Sequence, residues 1–236
     1  MIAIYKREMR AYFTSPICYI FVAHFMMMSA WFLLNYTLQQ GENSSPGSYF
    51  QMILVIFIAI IPLLTMKLMS EERKLKTEQL ILTGPVTLAG IIIAKYLAAY
   101  TVFGGSFLAS SFIYYIPLAL YGKPNAVIYF CCVFAVLLAG GAFSAIGVFA
   151  SALTENQFIA AFSTMAMLIP FVFASTLNSY INNSFVRSIL SGISVTSRYV
   201  NFAAGVFDWP ALVYYASLSG VFLFLTVRVL EKRRWA

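Results

Sequence analysis

Six long apolar stretches constrain this chain more than any other feature of its sequence. A bilayer core ~30 Å thick needs about 20 residues of helix. Runs of at least that length cover Ile17 to Leu38, Phe50 to Met69, Ile91 to Ala119, Ala126 to Leu153, Phe158 to Leu177 and Ala211 to Leu230, with charge only at Lys67, Lys95 and Arg228, near span ends. Apolar residues make up 61% of the 236 positions and charged residues 10%, against ~45–50% and ~25% in ordinary soluble domains. A compact soluble fold cannot hide that much apolar surface. The composition excludes a soluble enzyme, a disordered regulator and a disulfide scaffold. It predicts an all-α polytopic membrane protein, a single transmembrane domain over residues 1–236 with six spans.

The breaks between runs carry turn chemistry: Gln39 to Gly47 forms a polar loop, and Tyr121, Gly122, Lys123, Pro124 and Asn125 a tight one. Pro62 and Pro170 fall inside spans and predict kinks there. The first run exceeds the ~7–15-residue apolar core of a signal peptide and is expected to persist as a mature helix. Basic residues are retained on the cytoplasmic side. With the N-terminus inside, Lys6, Arg7, Arg10, Lys67, Arg73, Lys74, Lys76, Lys95, Arg228, Lys232, Arg233 and Arg234 lie inside, and only Lys123, Arg187 and Arg198 outside. Both termini are therefore expected in the cytoplasm, and the net charge of +7 reflects topology and contact with anionic lipid, not nucleic acid.

Three pieces remain outside the spans. Met1 to Ser15 places apolar and aromatic residues on one side at helical spacing, which predicts a helix lying in the inner interface over 1–15, with Tyr5, Lys6, Arg7, Arg10 and Tyr12 as its interfacial residues. Ser70 to Gln79 is the densest charged stretch; it continues through Leu82 and stops at Thr83, Gly84 and Pro85. With Ser70 as its cap, and Glu71 and Glu72 at the positive end of its dipole, it predicts a short amphipathic helix parallel to the membrane within 70–85. Asn178 to Pro210 repeats apolar residues at helical spacing, broken by Gly192 and Gly205, and predicts one or two short helices forming an outer cap that lies on the membrane or re-enters it.

Two motifs add a resemblance. Glu71, Glu72, Arg73, Thr77, Leu80, Leu82, Thr83, Pro85 and Val86 precede Lys95, Tyr96 and Leu97; Phe202, Gly205, Val206 and Asp208 precede Val213, Tyr214 and Tyr215, with Arg233, Arg234 and Trp235 at the end. In this order, and in register with the six spans, the chain resembles the permease subunits of type-2 ABC exporters, and within them the gliding-motility and nitrous-oxide-reductase-maturation branch. It departs where that pattern has Gly (here Lys76) and Glu (here Gln79, with Glu78 one residue early). The resemblance implies a permease that pairs with a second copy or homologue and with two cytoplasmic ATPase subunits, which bind the ATP and Mg. It implies a coupling helix that meets the ATPase through Glu71, Glu72, Arg73, Lys74, Leu75, Lys76, Thr77, Glu78, Gln79 and Leu80. Phe202, Gly205 and Asp208 would belong to an outer gate.

Catalytic chemistry has no visible basis in the sequence. There is no G-x-x-x-x-G-K-[ST] phosphate loop, and His24 stands alone, without a second imidazole for a relay or a metal. Cys18, Cys131 and Cys132 lack metal-ligand spacing and read as small core residues. No cofactor is expected on this chain. The alternative to a permease is a non-transporting membrane scaffold that recruits a cytoplasmic partner through the same charged helix. Small residues from Ala139 to Gly147 predict a close helix contact, within one subunit or between two.

Overall fold

The computed structural model describes residues 1–37, 46–77, 87–121, 125–178, 180–181 and 183–235. The loop residues 38–45, the turn residues 122–124 and the segment 78–86, which holds Glu78, Gln79 and Leu80, lie outside the described residues. The described helices are α1 (Ile2–Thr14), α2 (Pro16–Tyr36), α3 (Pro46–Thr65), α4 (Lys67–Lys74), α5 (Leu88–Tyr121), α6 (Ala126–Leu153), α7 (Gln157–Asn178), α8 (Ser184–Ile193), α9 (Val195–Ala203) and α10 (Trp209–Trp235). Six of the apolar helical stretches are long enough to cross a membrane, α3 and α4 counting as one. They fall where the apolar runs predict them.

Short polar residues start several helices by accepting orphan backbone N–H groups. Ser15 precedes Pro16 and receives Ile17 N–H at 3.4 Å; Asn125 Oδ1 receives Val127 N–H at 3.0 Å; Asn156 Oδ1 receives Phe158 N–H at 2.9 Å. Asn183 and Ser194 do the same for α8 and α9. α9 ends in a Schellman motif, with Val206 N–H on Asn201 O and Gly205 N–H on Phe202 O. Gly205 takes φ 78°, a left-handed conformation open to glycine without a Cβ clash.

The core forms around α6, which touches α3, α4, α5, α7, α9 and α10. Its small-residue face packs inside this chain: Phe103 covers Gly140, and Tyr96 and Tyr100 cover Gly141. The same logic builds the joint between α3 and α4. Met66 keeps helical dihedrals, and its N–H bonds to Pro62 O at 2.9 Å, so α4 carries on from α3. Groups at the joint are satisfied from outside. Ser151 of α6 accepts Met69 N–H at 3.1 Å and Ser70 N–H at 3.2 Å and donates to Met66 O at 3.0 Å; Tyr12 of α1 donates to Leu64 O at 2.9 Å. Burial, and secondarily the charge of Glu8, push the Tyr12 hydroxyl well above its ordinary pKa, so it remains a donor.

One expectation changes at this joint. Ser70 does not cap a separate helix: it sits inside α4, donating to Met66 O. The charged segment opens as the last turns of the second span because Ser151 supplies the partners that a capping residue would have supplied.

Gly147, one turn before Ser151, lets Thr65 approach α6. A Cβ there would meet Thr65 Oγ1 at 2.2 Å and Thr65 Cβ at 2.8 Å. Gly147→Ala is expected to cost about 1–3 kcal/mol through overpacking and to lower the melting temperature of the detergent-solubilised protein. Adding Thr65→Ala should return part of the loss.

Candidate functional site

Charged residues of three helices meet around one buried lysine. Lys95, in the second turn of α5, is 1% exposed. Its Nζ lies 3.1 Å from Glu8 Oε1 of α1, 2.9 Å from Glu72 Oε1 of α4 and 2.7 Å from Leu68 O. Three acceptors thus surround the three ammonium protons. Arg7 closes the cluster from the solvent side, its Nη2 2.5 Å from both carboxylates. Burial opposes the Arg7 charge, but hydrogen bonds to and proximity of Glu8 and Glu72 outweigh it and raise its pKa. Two cations and two anions cancel, and the carboxylates share their oxygens between Lys95 and Arg7.

A second ion pair fastens the other side of α4. Arg73 Nε lies 2.8 Å from Glu155 Oε1, and Arg73 Nη1 donates to Leu153 O at 3.0 Å, binding α4 to the turn between α6 and α7. Lys67 and Glu71 form a loose pair at 3.9 Å. Beyond them α4 ends in a second Schellman motif: Thr77 N–H bonds to Glu72 O and Lys76 N–H to Arg73 O, each at 3.0 Å. Lys76 occupies the left-handed position, φ 56°.

The residues expected to meet a partner therefore divide. Glu72 and Arg73 are turned inward to other helices, whereas Lys74, Leu75 and Lys76 are exposed, Leu75 by 65%. Thr77 is half-buried, its hydroxyl on Glu72 O. On α1, Lys6 and Arg10 point outward, Tyr5 OH reaches Thr101 Oγ1 at 3.3 Å, and Tyr12 is buried. At the opposite end, Phe202 is buried against Phe134 and Phe207, Gly205 turns the chain, and Asp208 Oδ2 accepts from Asn201 Nδ2 at 2.6 Å.

A match to the family described as ABC-2 family transporter protein spans residues 10–221. The chain belongs to that family. A comparison with curated proteins finds no match. ABC-2 membership accounts for a multi-pass membrane component of a transporter that works with ABC ATPase components.

Sequence reasoning missed Lys95 as a hub and Glu8 altogether. The sequence puts Lys95 near a span end, whereas α1 and the end of α4 cover it. Its partners stand 87 and 23 positions away, so helical periodicity carries no trace of the pairing. The one available signal was a lysine within an apolar run, which in a membrane helix implies a buried partner.

Removing one partner of a buried ion pair costs about 3–5 kcal/mol. Lys95→Met should fall in that range, measured as loss of thermal stability in detergent. Lys95→Met with Glu8→Gln should be less destabilised than the sum of the two single changes, because the carboxylates no longer repel. Lys76→Gly should stabilise the protein by up to about 1 kcal/mol, read as a higher melting temperature, because a side chain in the left-handed region is strained.

Proposed function

We propose that this chain is the permease subunit of an ATP-driven type-2 exporter in the cytoplasmic membrane, with both termini on the cytoplasmic side. ATP and Mg bind to two separate cytoplasmic ATPase subunits, and a second permease, identical or homologous, completes the complex. The sequence resemblance to the gliding-motility branch supports a substrate that belongs to an envelope process.

The observation that carries this reading is the exposed knuckle Lys74–Leu75–Lys76 at the end of α4. Lys74 and Lys76 offer positive charge and Leu75 an apolar anchor, a combination suited to a groove with an acidic rim and an apolar floor. Glu72 and Arg73 have a different task. Paired inside the chain, they fix the knuckle to α1, α5 and the α6–α7 turn, so a displacement of the knuckle moves these elements with it. ATP binding changes the spacing of two such knuckles and switches the spans as rigid bodies.

The test is to isolate the complex from its native membrane in mild detergent and compare wild type with Lys74→Glu plus Leu75→Asp. Both positions are exposed, so the melting temperature of the permease should hold. The co-purifying ATPase should drop at least about tenfold, the equivalent of ~1.4 kcal/mol of lost contact. An ATPase that stays bound and active in the variant would sink the assignment of the knuckle, and the absence of any ATPase from the wild-type complex would sink the permease reading itself.

A further inference from the structure

We propose that the cap at the end opposite the charged cluster binds an anionic lipid headgroup, a phosphate ester that also carries hydroxyl groups. A cleft of about 490 Å³ opens between α8 and α9, lined by Ser188, Ser191, Gly192, Ser197, Arg198 and Asn201. In a chain that is 61% apolar, this lining is wholly polar apart from one glycine.

The donors and acceptors of the cleft define the ligand. Arg198 is half-buried, and its guanidinium sits 5.6 Å from the centre of the Tyr214 ring. Tyr214 is itself held by donation from its hydroxyl to Ile193 O, so the ring is a fixed platform. Among the described residues, no carboxylate lies within ion-pairing distance of Arg198, and Asp208 is engaged by Asn201 Nδ2. A planar, unpaired guanidinium suits a phosphate. The serines have a different capacity. Ser191 donates to Ser188 O, and Ser197 shares its one proton between Ser191 O and Ser194 O, so the hydroxyl oxygens lining the cleft keep lone pairs free to accept. Acceptors beside a cation fit hydroxyl groups attached to a phosphate ester, such as those of phosphoglycerol or a sugar phosphate.

The level of the cleft favours a lipid as the carrier of that headgroup. α8 buries none of its residues, and Phe185, Ile189 and Ile193 form an exposed apolar row at i, i+4 and i+8, with Ser188 and Ser191 on the cleft side. A helix so divided lies in the membrane interface with its apolar face among acyl chains. Exposed Tyr180 and Trp209 flank the cap in sequence, at the ends of spans α7 and α10, where aromatic residues mark the headgroup layer. The cleft therefore opens at the depth where phosphates lie.

The full chain in detergent would be incubated with an equimolar mixture of phosphatidylglycerol and phosphatidylcholine, and retained lipid counted by mass spectrometry. Wild type should retain phosphatidylglycerol at least about fivefold over phosphatidylcholine, since one basic residue at a membrane surface contributes about that much. Arg198→Gln should cut that preference about fivefold, leaving the share due to the basic residues of the opposite end, and by more than Arg187→Gln, which lies outside the cleft lining; Arg198→Lys should keep part of the Arg198 share. Melting temperatures identify any variant that fails to fold, and Arg198→Lys keeps the test decisive if Arg198→Gln does. Equal retention of both lipids by wild type, or a preference indifferent to Arg198, overturns the proposal. A melting-temperature gain from free glycerol 3-phosphate matching that from phosphatidylglycerol overturns the lipid assignment in favour of a soluble ester. None of these readouts involves the ATPase, so the outcome is separable from that of the permease reading.

Discussion

The arrangement of one end of this protein depends on a buried ammonium group. Glu8 and Glu72 belong to different helices and meet with their Oε1 atoms around Lys95 Nζ. Without Lys95 they would repel each other in a site with little water, where charge interactions are strong. With it, α1 and α4 are pinned to the start of α5, and Arg7 shields the assembly from solvent. A buried ion pair need not stabilise more than a well-packed apolar substitute would. What it supplies here is geometry, because Lys95 has acceptors for all three of its protons only when three helix segments are in place.

That geometry makes α4 a braced extension of α3. It continues α3 through Met66, and the interrupted hydrogen bonds are taken up by Tyr12 on one side and Ser151 on the other. Gly147 and Ser151, one turn apart on α6, provide closeness and hydrogen bonding respectively. Glu72 and Arg73 then brace the helix towards α5 and the α6–α7 turn. A helix held at so many points transmits displacement as a body instead of bending locally.

The parts of this arrangement legible in the sequence follow local chemistry. Spans are visible because lipid demands long uncharged runs, and the cap because apolar residues recur at helical spacing between two glycines. The helix ends were half legible. Gly205 and Lys76 occupy equivalent left-handed positions in two Schellman motifs, but only the glycine announces itself; Lys76 shows as a departure from the family pattern and acquires its meaning from φ. The start of α4 was misread because Ser70 has the chemistry of a cap, and nothing near it in sequence says that Ser151, 81 positions later, satisfies its N–H. The charged cluster was illegible for the same reason: its partners are neighbours only after α1, α4 and α5 have packed.

The two ends of the molecule are joined through α3. Its first turn holds Gly47, whose carbonyl accepts the Tyr199 hydroxyl of the cap at 2.9 Å, and its far end runs into α4. A helix of 20 residues spans ~30 Å, so one rod carries the cap contact at one end and the knuckle at the other. The cap is tied to two further spans in the same way, by Thr196 to Val172 O of α7 at 2.8 Å and by Tyr215 of α10 to Val195 O at 3.0 Å. Each bond joins a hydroxyl to a backbone carbonyl, and such a bond breaks when its two elements slide apart by more than about 1 Å. A shift of α3 relative to α7 and α10 therefore cannot leave all three cap contacts intact. The cap must then follow one set of helices and release the other.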